Sequence, residues 1–79
     1  MWGFAKLLGE DADASYIAYS IGRDESLDGT MVYDKKKKII SVKDFSASAT
    51  ERQSKYFAHI VGTAFLMGNV KNTATCIAS

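Results

Sequence analysis

The chain has 79 residues, enough for one domain and too few for two, and 47% of them are hydrophobic against 24% charged, which excludes a disordered chain. The formal net charge of +1 excludes a strongly polyanion-seeking composition. No run approaches the roughly 20 apolar residues of a membrane-spanning helix.

Charge is split along the chain. Residues 1–34 carry two basic and seven acidic side chains, a net of −5, and residues 35–79 carry eight basic and two acidic, a net of +6. Such halves can pair within one fold or between two copies. Cys76 is the only cysteine, so no internal disulfide forms. With no secretory leader pattern, this points to a reducing, cytoplasmic setting.

In chain order, Met1 to Gly9 is apolar through Trp2, Phe4, Ala5, Leu7 and Leu8. It reads as a short helix laid on the core and stopped by Gly9, with Glu10 to Asp13 as an acidic loop. Ser15 to Arg23 alternates, with Ile17, Tyr19 and Ile21 on one face and Tyr16, Ala18 and Ser20 on the other. This is a strand pattern. Thr30 to Asp34 and Lys38 to Lys43 continue it, with Asp28-Gly29 as the first turn and Asp34 with the lysines as the second. Together they predict a three-stranded antiparallel meander.

Phe45 to Ala49 is a polar connection of small residues, followed by the clearest helix. Ser48-Ala49-Thr50-Glu51 fits a capping box. Helical spacing gathers Phe57, Ile60, Val61 and Ala64 on one face and Arg52, Lys55 and His59 on the other, and Gly68-Asn69 ends the helix. Val70 to Ile77 reads as a short final strand. The expected fold is a single α+β domain over 1–79: a two-layer sandwich ordered β-β-β-α-β, with a short N-terminal helix.

Four features invite a chemical reading. Asp24-Glu25-Ser26-Leu27-Asp28-Gly29 matches the opening of a calcium loop, but the twelfth position is Lys35, whose ammonium repels the ion the usual glutamate would bind. An acidic loop is the better reading. Lys35, Lys36, Lys37 and Lys38 form the only charge block. They are candidate phosphate contacts for a nucleic-acid-binding hairpin tip, weighed against a solvated turn that blunts a sheet edge. His59 has no second histidine, cysteine or carboxylate at ligand spacing, which leaves a surface histidine. Cys76, among Ala74, Ile77 and Ala78, reads as a small core residue rather than a nucleophile.

Trp2, Phe4 and Leu66 are large apolar groups that so small a core is not expected to cover, and they mark a candidate interface. The expectation is a non-enzymatic protein-interaction domain without cofactor or metal. Its partner is a protein, with self-association as a homodimer through the N-terminal segment. Nucleic-acid binding through the lysine turn is the alternative, and no membrane partner is expected.

Overall fold

A computed structural model describes residues 1–78. Five strands and one helix follow in chain order: β1 (Trp2–Glu10), β2 (Ala14–Ile21), β3 (Gly29–Asp34), β4 (Ile39–Asp44), α1 (Glu51–Leu66) and β5 (Thr75–Ala78). The strands form one antiparallel sheet ordered β4-β3-β2-β1-β5. The last strand therefore closes on the first, and the sheet is five strands wide rather than a three-strand meander with an appendage. Helix α1 covers one face only.

The N-terminal helix expected from the sequence is a nine-residue strand, the longest of the five. Its period is two: Gly3 and Ala5 are buried toward the helix, while Trp2 is exposed on the other side. The segment looked apolar throughout because both of its faces carry apolar residues. Gly9 ends no helix; it lies beside a bulge, where the pairing of β1 with β2 shifts between Leu7 and Gly9.

The core lies between α1 and the covered face. Ala5 of β1, Ile17 and Tyr19 of β2, Met31 of β3 and Ile77 of β5 meet Phe57, Ala58 and Val61 of the helix. Of the predicted helix stripe, Phe57 and Val61 are fully buried, and Ile60 and Ala64 are partly buried against the cluster. Phe65 stacks at a tilt on Tyr33, with centroids 5.1 Å apart. Arg52, Lys55 and His59 are exposed, as the spacing predicts.

The cap of α1 lies two residues later than Ser48. Thr50 accepts from the Gln53 amide at 3.1 Å, and the Gln53 side chain accepts from the Thr50 amide at 2.9 Å. This reciprocal box uses the same chemistry from the neighbouring hydroxyl residue. Ser48 instead accepts from the amide of Ile21, 2.9 Å away. At the other end, Asn69 donates to Ala64 and Gly68 to Phe65, with Gly68 at φ +79°. This is a Schellman ending, in which glycine adopts the left-handed conformation without a Cβ clash.

The link between β2 and β3 also differs from expectation. Asp28-Gly29 is not a tight turn: Gly29 opens β3 opposite Tyr19, and residues 22–28 form a longer loop. A Cβ on Gly29 would fall 2.3 Å from the Tyr19 ring. Gly29 is therefore required by packing.

Candidate interaction surface

The face of the sheet opposite α1 has no second layer. Strand alternation places Trp2, Phe4 and Lys6 of β1 there, with Tyr16, Ala18 and Ser20 of β2, Val32 of β3, Ser41 of β4 and Cys76 of β5. Phe4 is half-buried and lies in register with Ser20 on one side and Cys76 on the other. Trp2 meets it edge to face, with centroids 6.2 Å apart and planes at 68°. Trp2 is 40% exposed. Ala18 and Ser20 are buried beneath their longer neighbours, and the Ser20 hydroxyl donates to the Asp24 carbonyl, fastening the β2–β3 loop.

The three residues expected to form one interface divide between the two layers. Trp2 and Phe4 lie together on the open face. Leu66, 69% exposed, ends the helix beside Met67 on the covered side. Tyr16 and Val32 join the open face through cross-strand register. The alternation of β2 and β3 contains that signal, but it does not say which face the helix covers.

The lysine block forms the β3–β4 turn. Asp34 accepts from the amides of Lys36 and Lys37 through Oδ1, and the Lys38 amide donates to the Asp34 carbonyl at 2.7 Å. The turn lies beside the acidic β1–β2 hairpin. Lys35 Nζ lies 3.4 Å from Glu10 and 2.6 Å from the Asp11 carbonyl, and Lys36 Nζ lies 3.4 Å from Asp13. Part of the charge split is thus satisfied within one molecule. The Ser15 hydroxyl, aided by Lys35, holds the Glu10 carboxyl below its ordinary value. The amides of Asp13 and Ala14 do the same for Asp11, whose contact with the Tyr16 hydroxyl raises that phenol.

The calcium-like segment spends its carboxylates on the protein. Asp24 accepts from the Ser26 amide at 2.8 Å, and Asp28 accepts from the Ser46 hydroxyl at 2.5 Å and the Ala47 amide at 3.2 Å. Among the described residues, no three His, Cys, Asp or Glu side chains converge to hold a metal. Ser46 donates to Asp28, so Ser48, 2.6 Å away, is the donor to Ser46. The Ser46 amide in turn donates to the Tyr19 hydroxyl, which donates to Ser54. This cluster fastens the β4–α1 connection to β2 and to the start of β3, and its polar groups are mutually satisfied.

Cys76 is not a core residue: it is exposed on the open face, because Ile77 is the β5 side chain that points to the helix. His59 is on the helix, across the sheet from it. No helix among the described residues is long and apolar enough to cross a membrane. Comparison with known proteins finds no family model, no curated protein and no solved structure that matches this chain.

Proposed function

We propose that the protein is a non-enzymatic binding domain, working without cofactor, that receives another protein on the open face of its sheet. The observation that carries this reading is the edge-to-face pair of Trp2 and Phe4 on an uncovered sheet face. Aromatic side chains concentrate binding energy at interfaces, since they present large apolar area at small entropic cost. Val32 and Tyr16 extend the patch, and Lys6 contributes one charge at its middle.

Trp2 is the only tryptophan, so its fluorescence reports directly on this face. A photo-crosslinking group at Lys6 identifies the partner, and titration of that partner is expected to shift Trp2 emission. Trp2→Ala is expected to weaken binding by about tenfold or more, as truncation of an interface anchor does. A partner that crosslinks at Lys6 but binds Trp2→Ala with unchanged affinity would remove the face from the function.

The nucleic-acid alternative rests on Lys35 to Lys38, and the acidic hairpin weighs against it. Two of the four ammonium groups, Lys35 and Lys36, already face carboxylates. Fluorescence anisotropy with a labelled oligonucleotide at physiological salt tests it; sub-micromolar binding lost on replacing the four lysines by serine would favour it instead.

A further inference from the structure

The geometry points to a second copy of this chain as the occupant of the free edge of β4, joined by two-fold antiparallel pairing that makes one continuous ten-stranded sheet. This goes beyond the open-face reading and does not depend on it.

The sheet has two edges. At one, β5 is four residues long; at the other, β4 offers six, Ile39–Asp44, without proline. A strand of that length with an unpaired row of backbone donors and acceptors is a template for another strand. Protecting devices on β4 are few. Lys43 is its only cation, and the one irregularity of β4 lies at its far end, where Thr30 pairs with Asp44 and Met31 with Val42, leaving Lys43 as the bulged residue. Ile39 is 59% exposed, and Ile40 and Val42 are only half-buried although they point toward the core side. Between this edge and the helix lies a notch of about 320 Å³ lined by Ile40, Ser41, Val42, Lys55, Ala58 and His59. Only Lys55 brings a formal charge, and Glu51 pairs with it at 3.0 Å.

The pleat fixes the register. Directly paired residues of antiparallel strands share a face, so residues of like parity must meet. Centring the two-fold on Ser41 satisfies this. Ile40 then pairs with Val42 of the second copy, twice over, on the core side. Ile39 falls opposite the bulged Lys43 of the second copy, where the regular pairing ends. Like charges do not oppose one another, and the lysine turn that precedes each β4 lies toward the end of the other strand that carries Asp44. Such a contact buries on the order of 1,000 Å², the low end for a specific interface and the size of weak, transient contacts.

Light scattering on the full chain between roughly 10 and 500 µM tests the pairing. A dimer mass is expected. Ser41→Lys places two ammonium groups against each other at the axis and is expected to raise the dissociation constant at least tenfold. Ser41 is exposed, so the monomer should keep its circular dichroism. In a Cys76→Ser background, Ser41→Cys is expected to form an intermolecular disulfide in a glutathione redox buffer, because facing Cα atoms about 4.5–5.5 Å apart suit that bond. Lys43→Cys should not, since its opposite number is Ile39. A monomer at the highest concentration, a dimer that survives Ser41→Lys, or crosslinking at Lys43→Cys but not Ser41→Cys would each overturn the proposal. A dimer abolished by Trp2→Ala alone would assign self-association to the open face instead.

Discussion

Tyr19 is the residue on which most local constraints meet. Its ring is fully buried on Phe57, with centroids 6.2 Å apart, and its hydroxyl bonds both Ser54 and the Ser46 amide. Gly29 leaves the space for that ring. Gly29→Ala should cost about 3 kcal/mol, the upper part of the range for overpacking, because moving the ring also strains two hydrogen bonds. A urea midpoint equal to the parent's would show that the ring has room to give. Asp28 supports the same connection, and the Ser46 hydroxyl, followed by the Ala47 amide, holds its carboxyl below the ordinary value. A folded value below the unfolded one means that its contribution is present above about pH 3.9 and lost as pH falls through the folded value. Asp28→Asn should therefore lower stability at neutral pH and lose less than the parent on acidification from about pH 5 to 2. Urea midpoints across that range check the sign; parallel curves would separate Asp28 from the acid response.

At the scale of the element, the β3–β4 hairpin shows how far a local conformation departs from its residue. Lys38 has φ 57°, a left-handed conformation that suits glycine or asparagine and costs a lysine roughly 1 kcal/mol. Lys38→Gly should raise stability by about 0.5 kcal/mol, the relief being partly offset by greater freedom in the unfolded chain. Thermal melting checks it, and a lower melting temperature would show that the lysine side chain contributes more than its backbone costs. Elements with a one-sided pattern were legible in the sequence. Helix α1 announces itself by Phe57 and Val61 and by Gly68, and β2 by Ile17 and Tyr19 against Tyr16 and Ala18. Strand β1 was not, because Trp2 and Phe4 make its outer face as apolar as its inner one, and Gly3 and Ala5 carry too little side chain to mark the inner one. Tyr16 and Val32 were legible as strand residues but not as parts of a binding face, since that depends on which side the helix takes. Cys76 reads as core from the sequence for a related reason: a one-residue difference in parity separates it from buried Ile77.

At the scale of the molecule, the order β4-β3-β2-β1-β5 makes the C-terminal strand a cover for the N-terminal one. Strand β5 pairs Trp2 to Ala5 of β1 with Ala78 to Thr75, and Ile77 fills the core opposite Gly3. Beyond it the Leu7 amide donates to the Lys71 carbonyl at 2.7 Å, so the preceding segment extends the protection. Removing residues 75–79 would turn a nine-residue strand into an edge, and its first half, Trp2 to Ala5, carries no charge to discourage further pairing. Long, apolar, uncharged edges are templates for aggregation. The truncation should also lose the burial of Ile77, a cost of about 2–3 kcal/mol, which is a large share of the stability of so small a domain. The expected outcome is a chain that melts well below the parent and scatters light on standing at concentrations where the parent does not. Fusing a four-residue strand that keeps only an isoleucine at the position of Ile77 should restore both properties, since the requirement is a cover and a core contact. A truncated chain that remains unaggregated and melts with the parent would show that β1 guards its own edge.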